Sequence, residues 1–107
     1  MWTKILEENR GGNMVIYFLE PQYSNRTSFG NKAEVQVTHG GRCRTLLSYK
    51  KKVAYVENEV AEVFSIDSNT TYVHIKEFLK QNGLKATTNK QILKDYGVEK
   101  EVEEEIW

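Results

Sequence analysis

The order of hydrophobic periods along this chain of 107 residues predicts an α+β domain: an antiparallel sheet of four to six strands followed by two C-terminal helices packed on one face. Three observations carry that expectation. Residues 14–66 hold short runs that are β-rich or alternate with period two, divided by Asn and Gly turn residues. Beyond residue 66 the period lengthens to 3.6. The strand patterns precede the helical ones and do not alternate with them, so βαβ units are not expected.

The elements follow in order. Trp2, Ile5 and Leu6 form a first apolar cluster, cut off from residues 14–19 by Asn9-Arg10-Gly11-Gly12-Asn13, and the pair reads as a hairpin. Residues 20–31 contain the single proline with Ser, Asn and Gly, and read as a loop anchored by Tyr23 and Phe29. Ala33, Val35 and Val37 then share one face of a strand while Glu34, Gln36 and Thr38 share the other. Gly40-Gly41 turns the chain back into a strand over residues 43–49. A second hairpin closes around Asn58-Glu59, with strands near 53–57 and 60–66. The core draws on these apolar positions, including Val15, Ile16, Tyr17 and Phe18.

Tyr72, Ile75, Phe78 and Leu79 make one stripe of a first helix. Thr70 or Thr71 caps its start, and Asn82-Gly83 supplies a left-handed stop, with Leu84 placed for the apolar contact of a Schellman end. Thr88 and Gln91 have the spacing of a capping box for a second helix, whose stripe is Ile92, Leu93 and Tyr96 and whose end is Gly97. Residues 1–97 therefore read as one domain, and 98–107 as an acidic tail that either extends as helix or stays loose.

Length and composition permit one core without help from a metal or a disulfide. Cys43 is the single cysteine, the N-terminus carries no export-signal pattern, and the longest apolar run, 14–19, is too short to span a bilayer. A cytoplasmic protein without a membrane segment is the expectation. The zero net charge conceals an asymmetry. Residues 1–56 carry nine Lys and Arg against four Glu, and residues 57–107 six Lys against eleven Asp and Glu. Such a split steers charged partners or lets the halves of the fold face one another.

Two stretches present charge for contact. Arg42, Arg44, Lys50, Lys51 and Lys52 form a basic run around Tyr49, which with Tyr55 offers phosphate contacts and stacking to a nucleic acid. On one continuous strand Tyr49 and Lys51 share a face while Lys50 and Lys52 take the other, so the competing reading is a solvated edge or turn. The tail places Glu101, Glu103, Glu104 and Glu105 beside Trp107, a carboxylate cluster with an aromatic anchor that suits a basic groove on a protein partner, or simply solubilises the C-terminus.

The remaining chemistry-bearing residues do not assemble into a reactive pattern. His39, Cys43 and His74 lack the paired spacing of a zinc site, so neither a metal nor any other cofactor is expected. Cys43 sits between two arginines, which favours a thiolate, but a lone strand cysteine also serves as a small buried hydrophobe. His74 lies at the edge of the helical stripe, where a structural role outweighs proton transfer. His-Gly-Gly-Arg at 39–42 lacks the phosphate-loop pattern, and no nucleophile elbow occurs. No catalytic residue is assigned, and an enzyme is not expected.

Ser48-Tyr49, Val53-Ala54, Thr70-Thr71 and the stretch from His74 to Gly83 resemble a family of small uncharacterised proteins from phages and mobile elements of Gram-positive bacteria. The likeness covers about residues 46–97, and the lysine run departs from it. It implies no activity and transfers no functional residue. It implies an accessory binder, such as an inhibitor of a bacterial defence nuclease of the CRISPR-effector kind, acting by protein contact without catalysis. A nucleic-acid-binding module using 42–52 and a structural or assembly protein are the alternatives.

Overall fold

The computed structural model describes residues 14–98. The expected strand around Trp2, Ile5 and Leu6 and the tail from Glu99 onward, with Glu101, Glu103, Glu104, Glu105 and Trp107, lie outside the described residues. Among the described residues, five strands form one antiparallel sheet in sequential order. They are β1 (Val15–Phe18), β2 (Ala33–Thr38), β3 (Cys43–Ser48), β4 (Lys51–Glu57) and β5 (Val60–Val63). Two helices follow, α1 (Asn69–Gln81) and α2 (Asn89–Tyr96), and the α+β expectation holds. Helix α1 packs on β3 and β4, and α2 packs on β5.

That placement decides where the core lies. Val35, Leu46, Ala54 and Val63 bury their side chains against Ile75, Phe78 and Leu79 of α1 and Ile92 of α2. Each larger apolar side chain sealed in this way contributes roughly 1.5–3 kcal/mol. Among the described residues strand β1 is the outermost of the sheet, away from both helices, and Val15, Ile16, Tyr17 and Phe18 are exposed, not core as their composition suggested. The loop after β1 is tied down by Leu19 and Phe29, which are buried. Tyr23, the other expected anchor, stays exposed.

The basic run does not lie on one strand. Tyr49 and Lys50 take φ of 53° and 69° and form a two-residue hairpin turn between Ser48 and Lys51. Right-handed strand twist demands this positive-φ geometry, which Asn-Gly adopts most cheaply. Here Tyr-Lys adopts it, and the Tyr49 N–H donates to the Lys32 carbonyl at 2.9 Å. Leu46 pairs with Ala54 and Leu47 with Lys52, so Val53 is an extra residue in β4. The bulge lets Val53 and Ala54, neighbours in sequence, both bury their side chains.

Helix ends obey local chemistry, with corrections. Ser68, not Thr70 or Thr71, is the N-cap of α1, and its Oγ accepts the Thr71 N–H at 3.1 Å. Thr71 is instead buried beneath the helix. At the other end Gly83 has φ of 78°, the Leu84 N–H reaches the Leu79 carbonyl at 2.9 Å and the Gly83 N–H the Lys80 carbonyl at 3.0 Å. Those two bonds are the Schellman pattern. Thr88 caps α2 by accepting the Gln91 N–H at 3.1 Å, but the Gln91 side chain turns to Asp95 at 2.9 Å, so only half of the capping box forms. Gly97 ends α2 in an extended conformation; a Cβ there would collide with the Leu93 carbonyl.

Candidate functional site

The basic run is contiguous in sequence and divided in space. Arg42 and Arg44 stand at one end of β3, Lys50, Lys51 and Lys52 at the other. Arg44 donates to the Asn82 side chain at 2.8 Å, and Arg42 faces the Glu57 carboxylate at 3.7 Å. Lys51 donates to Asp67 at 2.6 Å. Lys50 lies in the turn between two interior strands and Lys51 and Lys52 follow it, so the edge-strand reading does not apply. Tyr49 is exposed in that turn with the Lys32 ammonium 5.7 Å from its ring centre. Tyr55 lies within β4 and donates to Glu57 at 2.8 Å. The Cys43 thiol, and then the Glu57 carboxylate, push its phenol pKa upward. The run thus supplies no single concentrated cationic surface. Cys43 itself is buried, the small-hydrophobe reading.

The most suggestive pair of residues lies under α1. The Ser48 Oγ is 2.8 Å from His74 Nδ1 and 3.2 Å from the Thr71 hydroxyl. A serine in contact with an imidazole is the beginning of a nucleophile–base arrangement. Here both are sealed: Ser48 is 2% exposed and His74 1%. The Phe29 ring packs edge-on against the imidazole at 4.8 Å. Burial, and then the positive charge of Arg26, lower the His74 pKa to about 4. The ring is therefore neutral at neutral pH. Among the described residues no carboxylate bonds to it to complete a triad. The cluster joins β3 to α1 and gives every hydroxyl a partner.

One turn further along α1, Glu77 is also buried, at 2% exposure. Its carboxylate accepts the backbone N–H groups of Gln22 at 2.7 Å, Tyr23 at 3.1 Å and Ser24 at 3.0 Å. The Gln81 amide adds a fourth donor at 2.6 Å and also reaches the Glu20 carbonyl at 2.7 Å. Successive N–H groups converging on a carboxylate replace its lost water. The carboxylate oxygens of Glu77 are occupied in holding residues 22–24 against the helix.

The clasp builds a groove of about 350 Å³ between that loop and the outer face of α1. Tyr23, Ser24, Asn25 and Arg26 line one wall. Tyr72, Val73, Lys76 and Lys80 line the other. The Lys76 ammonium lies 5.7 Å from the centre of the Tyr72 ring, and that of Lys80 5.9 Å from the centre of the Tyr23 ring. The Tyr72 hydroxyl donates to the Thr87 carbonyl at 2.6 Å and fixes its ring. Glu77 is the one acid in the lining. Among the described residues the ion pairs are Arg42–Glu57 and Lys51–Asp67, and neither involves a groove cation. A second hollow, about 310 Å³ beside Arg42 and Arg44, is lined by arginines already engaged with Glu57 and Asn82.

Sequence reasoning passed over this groove. Arg26 stood in a segment read only as loop, and Lys76 and Lys80 carried no assignment. The signal was Glu77, a carboxylate beside Phe78 and three residues from His74, where the helix faces inward. A charged residue at such a position requires partners, and its partners form the wall. Among the described residues, no group of three His, Cys, Asp or Glu could hold a metal ion, and no helix is long and apolar enough to cross a membrane.

Residues 17–95 match a family of unknown function, DUF8033, and the chain belongs to that family. No curated protein and no solved structure matches the sequence.

Proposed function

We propose that this member of the DUF8033 family works by binding, without catalysis, and that the groove between residues 22–26 and α1 receives an anionic partner. The observation that carries this reading is the convergence of Arg26, Lys76 and Lys80 on a cavity whose single carboxylate is already spent on backbone N–H groups. Among the described residues, three cations against one carboxylate leave the groove lining with a net positive charge, and cations beside low-dielectric walls attract anions over a distance comparable to the screening length. The burial of Ser48 and His74, the pair closest to a reactive arrangement, supports the non-catalytic part of this reading.

The phage and mobile-element setting that residues 46–97 resemble would make such a binder an accessory factor directed at a host defence nuclease. The resemblance supports that setting; the groove supports the chemistry of the contact. The test is titration of the full chain with an inorganic polyphosphate, comparing the unaltered protein with the triple variant Arg26→Gln/Lys76→Gln/Lys80→Gln. Binding should weaken at least tenfold in that variant and remain in Lys50→Gln/Lys51→Gln/Lys52→Gln. The reverse pattern would return the interface to the hairpin turn.

A further inference from the structure

The geometry points to single-stranded nucleic acid as the occupant of the groove: one base against Tyr23, and the flanking phosphates held by Arg26, Lys76 and Lys80. This inference rests on the reading of the groove as an anion site and names the ligand.

Free phosphate or an acidic peptide would need the cations alone. The groove offers more. Tyr23 is 58% exposed, with a lysine ammonium on its ring, and Tyr72 stands on the opposite wall with a second. Aromatic surface next to cationic charge is the combination that takes a base and its phosphate together, because every base has a π-face and every linkage a negative charge. Val73, one turn before Lys76 on α1, gives the wall an apolar patch that neither a carboxylate nor a phosphate would use. The volume of about 350 Å³ lies near the lower end of small-molecule sites and suits a single nucleotide unit, not a duplex. In a duplex the base faces are stacked away; in a single strand they are free to meet a ring. Lys76 and Lys80 are four residues apart on α1, a rise of roughly 6 Å along the axis, so they reach different parts of a backbone and favour a strand over a mononucleotide.

The clasp makes Glu77 a positioning residue for this ligand. It touches no base and no phosphate, but it fixes the wall that carries Tyr23 and Arg26. Its own negative charge is surrounded by N–H donors, which limits its repulsion of an incoming phosphate.

The experiment is fluorescence anisotropy with the full chain and a short labelled oligothymidylate, over a range of salt concentrations. The competitors are an abasic oligomer of equal charge, thymidine monophosphate, a DNA duplex and poly-glutamate. The expected result is a slope of log affinity against log salt of about −2, from three cations at roughly 0.7 each. Each lysine-to-glutamine variant should reduce that slope by about 0.7. Tyr23→Leu, at an exposed position, should leave thermal unfolding unchanged and weaken the oligothymidylate about tenfold or more while sparing the abasic oligomer. Equal competition by the abasic oligomer or by poly-glutamate, or an unaltered affinity in Tyr23→Leu, would overturn the nucleic-acid assignment and leave the anion site standing. Preference for the monophosphate or the duplex would overturn it as well. Unaltered oligonucleotide binding in the triple cation variant would overturn both readings together.

Discussion

His74 and Glu77 stand three residues apart on α1, and both are buried, yet their regions behave oppositely. Around His74, chemically suggestive groups are shut away: the serine, the imidazole and the threonine satisfy one another beneath Phe29. Around Glu77, an ordinary carboxylate organises backbone N–H groups, and three cations and two tyrosines line the groove beside it. The difference is one of access. A reactive pairing without a route for substrate is structure, whereas a buried charge that tethers a loop creates a place for a ligand. Residue type would have ranked the two regions the other way round.

The comparison breaks most visibly at Glu77. Glu77→Gln turns part of an acceptor into a donor aimed at N–H groups, so we expect a loss of about 3 kcal/mol in urea unfolding together with loss of polyphosphate binding. A loss below about 0.5 kcal/mol would mean that the loop holds itself. Next comes pH. The folded His74 pKa, about 4, lies below the unfolded value near 6.5. The unfolded chain therefore takes up a proton first, and stability present above pH 6.5 is lost as pH falls toward 4. The expected loss is on the order of 2 kcal/mol, and an NMR titration should find the His74 imidazole still neutral at pH 5. A ring that protonates above pH 6 would show that the cluster is open.

Smaller effects sharpen the contrast. Ser48→Ala should cost about 1 kcal/mol and leave polyphosphate binding unchanged, since its hydroxyl serves only the interior. Binding that falls with Ser48→Ala at intact stability would join the two regions. Smallest of all, Lys76→Gln should move stability by less than about 0.5 kcal/mol, because its contact is a half-buried tyrosine ring 5.7 Å away and not a buried charge. Yet it should weaken binding measurably, and that split between stability and affinity is the mark of an interface residue.

Much of the fold could be read directly. Ala33-Val35-Val37, Gly40-Gly41, Asn82-Gly83 and Thr88 each carry a local signal, and local signals suffice for strands, turns and caps. The hairpin at Tyr49-Lys50 escaped because neither residue advertises positive φ; pairing of β3 with β4 imposes it. The exposure of 15–18 escaped because it depends on where the helices land, which no strand pattern contains. The groove escaped for a stronger reason. It joins residues more than fifty positions apart, through backbone groups that carry no sequence identity. The basic run drew notice through adjacency in the chain, but Arg42 and Arg44 are turned to Glu57 and Asn82, and Lys51 to Asp67.

The most direct test of the groove as the binding surface is a residue-resolved NMR titration of the full chain with the oligothymidylate. Amide shifts should move and saturate together at residues 22–26 and at the groove-lining positions of α1, Tyr72, Val73, Lys76 and Lys80, with His74 and Ser48 changing little. Shifts concentrated at Tyr49, Lys50, Lys51 and Lys52, with residues 22–26 unmoved, would contradict it.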